Sequence, residues 1–378
     1  MQHTSIKSVS NIKTNDTVKG NKDNTSYDMV VFCHLRWDFV YQRPQHIISR
    51  MAKDLKILMI EEPWHRAEEN ESRLTKVTDN LHILQPNVHT IEEIESILPQ
   101  YINTKATIGW FYSASFVPVL NYFDFDTIVY DCMDELALFK GAPEKLIEQE
   151  KYLVANADVV FTGGKSLYES KAQLHNNVHC FPSSVDQEHF AKALNGVTIP
   201  GDLANLKGPV VGYFGVIDER LDLELLNQTA QLKPDVTFVM IGPIAKIGEH
   251  ELPRQENIHY LGMKDYKELP SYLKGFNVAM MPFALNDATK YISPTKTLEY
   301  MAAGKPIIST AIKDVVRDYN SCVKIVSSAQ EFANAIDTLL QDSPDVFMNY
   351  EYAEILKNTS WNVTVGKMKT LIKTNVAV

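Results

Sequence analysis

From Asp28 onward, short apolar runs alternate with stretches whose apolar positions recur at helical spacing. Met29 to His34, Ile57 to Ile60, Thr127 to Tyr130 and Val178 to Phe181 read as strands, and Pro44 to Lys53 as a helix between two of them. Apolar strands that run continuously, without polar alternation, are buried on both faces, which indicates a parallel sheet covered by helices. The pattern restarts at Pro209 to Gly215. It continues through helix Leu221 to Leu232, strands Val236 to Gly242 and Ile258 to Gly262, helix Tyr266 to Lys274, strand Val278 to Phe283, helix Thr295 to Ala303, and strands Ile307 to Thr310 and Val323 to Val326. Between the two sets, Asp186 to Lys207 is mixed in polarity, and Gly196, Pro200, Gly201 and Gly208 fit a linker. The expected fold class is α/β, with two doubly wound Rossmann-like domains facing a cleft. The first spans 28–190, a linker 191–207 and the second domain 208–345; helices over 346–378 are expected to pack back towards the first domain. No short-period repeat is present. In such a pair the carboxyl ends of both sheets meet at the cleft, where ligands of these sheets bind.

Length agrees, because 378 residues exceed what one hydrophobic core usually serves. Residues 1–27 are rich in Asn, Lys, Thr, Ser and Asp and lack the apolar run of a signal peptide, so they read as a disordered tail. No stretch approaches the ~18–20 apolar residues of a membrane span. Any membrane contact is expected to be peripheral, on the inner face of the cytoplasmic membrane. With 37 Lys and Arg against 47 Asp and Glu, and a net charge of −10, nucleic acid is not an expected partner. Cys33, Cys132, Cys180 and Cys322 lie far apart, with no CxxC and no Cys/His cluster, which suggests reduced thiols in a cytoplasmic protein and no metal site.

The chemistry concentrates in Asp287 to Thr310, DATKYISPTKTLEYMAAGKPIIST. Ser293 suits an N-cap and Pro294 the first helical position, and Gly304 followed by Pro306 ends the helix. The helix start follows a strand, so its unpaired N–H groups and positive dipole end point at the cleft and favour a phosphate. Lys296 places a full positive charge where the dipole prefers an acid, so it calls for an anionic partner such as a diphosphate. Glu299, one turn on, could accept from ribose hydroxyls. A solvated Lys296/Glu299 helix pair is the plain alternative.

The segment SPTKTLEYMAAGKPIIST resembles the donor-site helix of GT-B fold glycosyltransferases. In order along the chain, FPSSVDQEHF is similar to that superfamily's domain-crossing segment, VVGYFGVIDERLD to the glycine turn opening its second domain, and IHYLGMKDYKELPSYLKGFNVAMMPF to the elements before the donor helix. The segments FCHLRWDFVYQRPQHIISRMAK and YDCMDELALF resemble bacterial polysaccharide glycosyltransferases of the teichuronic-acid type and sequences joined to galactofuranose-forming mutases. The resemblance implies a cytoplasmic enzyme moving a sugar from a nucleotide donor, a uridine diphosphate sugar by preference, to a glycan or lipid-linked glycan acceptor. No further cofactor and no metal are implied. It places Lys296 on the diphosphate, Glu299 on the ribose, Gly215 at the close approach to phosphate, Arg220 as a second phosphate ligand, Met263 and Lys264 near the base, and Gly242, Ser293 and Thr295 in the donor site. Many retaining members carry a Glu eight residues before the donor-helix Glu; here that position is Tyr291, which leaves the stereochemical outcome open.

Asp131, Asp134 and Glu135 follow the strand Thr127 to Tyr130, so a carboxylate there could take a proton from an acceptor hydroxyl. Asp134 is the expected base, with Asp131 and His34 as further catalytic candidates. After the first strand, His34, Arg36, Trp37, Asp38, Tyr41, Gln42 and Arg43 form a mixture suited to sugar stacking and hydroxyl or phosphate recognition. Asp124-Phe125-Asp126 spells a DxD but precedes its strand. Gly164-Lys165-Ser166 lacks the upstream Gly of a phosphate loop, Val159 standing there, and reads as a strand-to-helix turn. No GxGxxG follows the first strand and no GxSxG is present. The rival readings are a nucleotide-sugar epimerase of the same layout and a nucleotide-sugar-binding protein without catalysis.

Overall fold

The computed structural model describes residues 26–376 except 70, 103–104 and 342–349. The expected tail over 1–27 therefore lies almost wholly outside the described residues, as does the 346–349 part of the C-terminal helical segment. Two sheets form as the apolar pattern requires. The first contains β1 (Met29–Cys33), β2 (Ile57–Glu61), β3 (Arg73–Thr78), β4 (Leu81–Gln85), β5 (Lys105–Phe111), β6 (Asp124–Cys132), β7 (Val159–Thr162) and β8 (Val178–Cys180), in the order β3-β4-β2-β1-β5-β6-β7-β8. The second contains β9 (Val210–Phe214), β10 (Thr237–Ile241), β11 (Ile258–Gly262), β12 (Val278–Met281), β13 (Ile307–Thr310) and β14 (Lys324–Val326), in the order β11-β10-β9-β12-β13-β14.

All pairings are parallel except one. β3 runs antiparallel to β4, and the wholly parallel first sheet that the apolar runs suggested is corrected there. The reason is visible in composition: RLTKVT is an exposed edge segment joined to β4 by a two-residue turn, Asp79-Asn80, which is too short for a crossover.

Helices cover both sheets: α1 (Arg43–Met51), α2 (Lys145–Asn156) and α3 (Lys165–Lys171) on the first, then α4 (Gln187–Phe190) and α5 (Gly201–Ala204) where the chain crosses over. Around the second sheet lie α6 (Leu223–Leu232), α7 (Leu269–Gly275), α8 (Thr295–Ala302), α9 (Lys313–Tyr319) and α10 (Ala329–Gln341), followed by α11 (Tyr350–Lys357) and α12 (Trp361–Val376). Alternate residues of one strand feed opposite layers, as the period of two demands. Val30, Phe32, Leu58 and Ile60 pack with Leu153 of α2 and Leu167 of α3. Met29, Val31, Ile57 and Met59 pack on the other face with Ile47 and Ile48 of α1.

That second face is completed from the far end of the chain. Trp361, Val365, Met368 and Ile372 of α12 join the α1 side of the first sheet. Trp361 is 1% exposed and its ring stacks on His46 at 4.8 Å. Arg50 donates to Asn362 at 2.8 Å across the same seam. The crossing segment is gripped nearby, with the Val185 amide donating to the Thr359 carbonyl at 2.8 Å.

A Trp361→Ala chain should lose about 3–5 kcal/mol of first-domain stability, the usual cost of deleting a large buried aromatic ring. The first domain's urea transition is expected at lower denaturant, with that of the second domain unmoved.

Candidate functional site

The carboxyl ends of β1, β2 and β6 in one sheet and of β9, β10 and β12 in the other deliver His34, Glu62, Asp134, Gly215, Gly242 and Phe283 to the space between the domains. Three adjoining cavities occupy it. One of about 720 Å³ is lined by His34, Glu62, Asp134, Asp218, Arg220 and Lys246. A second of about 380 Å³ runs between Trp37 to Tyr41 of the first domain and Gly215, Gly242, Met263, Lys264 and Tyr266 of the second. The third, of about 100 Å³, lies at the start of α8 among Asp134, Arg220, Ser293, Thr295 and Lys296.

Helix α8 starts at Thr295, as the apolar pattern placed it, but its cap differs from the one expected. Pro294, not Ser293, is the cap residue, and its extended ψ of 118° makes Thr295 the first helical residue. No side chain caps the helix, and the Ser293 carbonyl accepts from the Ser183 hydroxyl at 2.7 Å. Glu299, 6% exposed, sits one turn inside, and Lys296 is half-buried at the cavity edge. Neither the Lys296 ammonium nor the Glu299 carboxylate has a hydrogen-bond or ion-pair partner among the described residues. Burial pulls the lysine below its ordinary range, with Glu299 acting against that pull and Arg220 adding to it. Burial also pushes the Glu299 carboxyl up, against the pull of Lys296.

The ammonium finds only the face of Tyr213, at 5.4 Å from the ring centre. It reaches that place because position 215 has no side chain: a Cβ there would lie 2.6 Å from Lys296 Nζ, and the backbone φ of +141° is itself a glycine conformation. Gly242 is pressed as closely against the Gly215 carbonyl.

On the facing side, Asp134 borders both the largest cavity and the one at α8. Burial raises its pKa, and Arg220 draws it back down. The half-buried His34 has its Nδ1 enclosed without a partner, and desolvation lowers its pKa to about 4, so the imidazole is neutral near pH 7. Arg220 is oriented by a forked pair with Asp218, at 3.0 and 2.7 Å, which directs it along the cavity wall. Lys246 is the one non-glycine among the described residues with left-handed backbone (φ 61°); it carries its ammonium to 4.3 Å from the Phe139 ring centre, across the cleft.

Other candidates are held by partners or lie away from the cleft. Asp131 does not reach the cleft: it is fully buried and accepts from Arg43 Nη2 at 2.7 Å and Nε at 3.1 Å. From a candidate proton acceptor it is corrected to a structural counter-ion, because β6 extends through Cys132 and keeps Asp131 inside the sheet. Glu135 is tied to Lys171 at 2.8 Å, and Lys171 also binds Glu150 at 2.9 Å, so the residues flanking Asp134 are anchored while it is left free. The Lys264 ammonium is held by Asp202 at 2.7 Å. Arg36 pairs with Glu61 at 3.0 Å. Asp124 and Asp126 open β6 at the end of the strand away from the cleft. Among the described residues no group of three or more His, Cys, Asp or Glu is placed to hold a metal ion, and no helix is long and apolar enough to cross a membrane.

Sequence reasoning missed Asp218, Lys246 and Tyr266 as site residues. Asp218 was legible as the acid two residues before Arg220. Tyr266 lines the 380 Å³ cavity with its hydroxyl buried and unpartnered, and its ring meets Tyr41 of the first domain at 4.6 Å. Nothing local marks Lys246, whose backbone strain exists only in the fold.

The model of the family described as glycosyl transferases group 1 matches residues 208–342. A protein named as a teichuronic acid biosynthesis glycosyltransferase, TuaH of Bacillus subtilis (strain 168), is 27% identical over 233 residues, which is 57% of this chain and 58% of that relative. Among solved structures, sucrose-phosphate synthase from Thermosynechococcus elongatus superposes with a TM-score of 0.71 at 14% identity, covering 92% of this chain and 99% of that one. A UDP-forming trehalose-phosphate synthase from Burkholderia xenovorans gives 0.66 at 12% identity, covering 94% and 100%. An E. coli structure described as trehalose-6-phosphate bound with UDP-2-fluoro glucose gives 0.68 at 15%, covering 93% and 99%. The second domain is similar to the glycosyl transferases group 1 family over its whole length, and the chain has the GT-B fold.

Asp131→Asn would leave the buried Arg43 guanidinium uncompensated and is expected to cost about 3–5 kcal/mol of stability in urea unfolding.

Proposed function

We propose that this chain is a glycosyltransferase of polysaccharide synthesis, transferring a sugar from a nucleoside diphosphate donor, a uridine diphosphate sugar by preference, to a hydroxyl of a glycan or lipid-linked glycan. The observation that carries the reading is the pair Lys296 and Glu299. A half-buried ammonium and a buried carboxylate one turn apart, neither with a hydrogen-bond partner among the described residues, are costly to leave so. Both costs are offset when a diphosphate meets the lysine and the α8 N–H groups, and ribose hydroxyls meet the glutamate. The nucleoside would occupy the cavity between Gly215, Gly242, Met263 and Tyr266 and the Trp37 to Tyr41 loop, with the acceptor in the cavity of about 720 Å³ on the far side of Asp134.

In this scheme the acceptor hydroxyl gives its proton to Asp134 and its oxygen attacks the anomeric carbon. The bond to the diphosphate oxygen breaks, and the leaving group carries the electron pair into the field of Lys296, Arg220 and the helix N–H groups. Direct displacement of this kind inverts the anomeric centre. Tyr291, which packs against the first domain's apolar cluster, leaves the outcome to be read from the product. The match to TuaH supports the polymer-synthesis setting, and the GT-B neighbours support a sugar nucleotide as donor.

Lys296→Ala should abolish calorimetric binding of UDP and GDP. A Lys296→Ala chain that binds them as the wild type does would sink the donor assignment. Binding by the wild type should be confined in pH from both sides: lost on the alkaline side below the ordinary lysine range as Lys296 deprotonates, and on the acid side above the usual carboxylate range as Glu299 takes up its proton. Asp134→Asn is expected to lower kcat by about 10²–10⁴ with donor affinity intact. NMR of the product should show an inverted anomeric centre, and a retained configuration would remove Asp134 from its role.

A further inference from the structure

The Gly164-Lys165-Ser166 turn takes no part in this chemistry, yet it lies at a tightly made contact between the domains. It opens α3 of the first domain, whose N-terminus receives no cap from its own N-cap residue, Gly164. The acceptor comes from the other domain. Asp314 of α9, 2% exposed, accepts from the Ser166 amide at 3.2 Å and the Ser166 hydroxyl at 2.5 Å. Arg317, further along α9, donates to Ser166 Oγ at 3.1 Å and to Glu169 at 2.7 Å. Lys313 holds the same Glu169 at 2.8 Å.

Gly164 has no room for a side chain. A Cβ there would stand 2.7 Å from an Asp314 carboxylate oxygen and 2.9 Å from the Cβ of Ser293, the residue that leads into α8. From another direction, Ser183 of the crossing segment donates to the Ser293 carbonyl at 2.7 Å and lies 3.0 Å from the Thr295 hydroxyl. The entry to α8 thus abuts the Gly164 turn, which Asp314 ties to the second domain through Ser166, and is bonded to the crossing segment by the Ser183 hydroxyl. A buried carboxylate is tolerated while its hydrogen bonds are made. Drawing the domains apart would leave Asp314 with Arg317 alone.

We infer that Asp314 and Ser183 are positioning residues that hold the entry of α8 in register with the first domain and thereby set where Lys296 and the first-turn amides meet the donor diphosphate. The inference rests on the donor reading given above.

Its test is calorimetric titration of the full chain with UDP and GDP, comparing wild type, Asp314→Asn, Ser183→Ala and Gly164→Ala, with steady-state kinetics on any active donor and acceptor pair. Each variant should bind the nucleotide about tenfold more weakly, the scale of one lost charge-assisted hydrogen bond. The donor KM should rise while the acceptor KM stays put, a split that general destabilisation would not give. Small-angle scattering should show a larger radius of gyration for Asp314→Asn than for wild type. Nucleotide affinity within twofold of wild type in both Asp314→Asn and Ser183→Ala overturns the inference. A wild type that binds neither nucleotide overturns the donor reading instead, so the two failures are told apart. Should Asp314→Asn or Gly164→Ala not fold, Ser183→Ala removes one hydroxyl from a half-buried site and decides the matter alone.

Discussion

A positive charge without a partner, set at the mouth of a helix, is the constraint on which the cleft is built. Desolvating an ammonium costs several kcal/mol unless something answers it, and among the described residues the one at Lys296 meets the face of Tyr213 and the field of Glu299 but no hydrogen-bond acceptor. Every element around it serves that exposure to the cavity. Gly215 and Gly242 end their strands without side chains, Pro294 leaves the first-turn amides without a side-chain acceptor, and Asp218 occupies Arg220 so that the second cation lies along the wall. The resulting field suits an anion that arrives with its own hydroxyl groups.

The first domain acts as a scaffold for one carboxylate. Asp131 on one side of Asp134 is committed to Arg43, and Glu135 on the other to Lys171. Arg43 also donates to the Phe181 carbonyl at 2.7 Å, which ties the core of the first sheet to the segment that crosses to the second domain. Buried ion pairs of this sort add little net stability, but they hold a loop in one place. The free acid between them therefore keeps its position while its environment sets its proton affinity.

The strands, their parallel arrangement and the restart of the pattern near Pro209 were legible because a sheet buried on both faces writes itself as uninterrupted apolar runs. Helix α8 was legible for a similar reason: Lys296, Glu299, Gly304 and Pro306 lie close together in sequence and their placement depends on helical spacing alone. What escaped depends on partners far along the chain. Asp131 looked like Asp134 until Arg43, 88 positions earlier, claimed it. Asp314 and Ser166 are 148 positions apart and meet only across the domain boundary. The Ser293 cap failed for a local reason, since the extended ψ of Pro294 keeps that residue out of the helix and makes it the cap. The antiparallel β3 was hidden because an exposed edge strand carries no apolar run.

The return of α12 to the first sheet has a consequence for biosynthesis. The layer that covers Met29, Val31, Ile57 and Met59 draws Trp361, Val365, Met368 and Ile372 from a helix translated after the whole second domain. While the ribosome is still producing the intervening residues, the greasy side of α1 and its sheet must wait unsheathed, the kind of surface on which nascent chains cling to one another or to chaperones. The lobe that leaves the exit tunnel first is consequently the last to mature, and the second lobe completes its own sheet in the meantime.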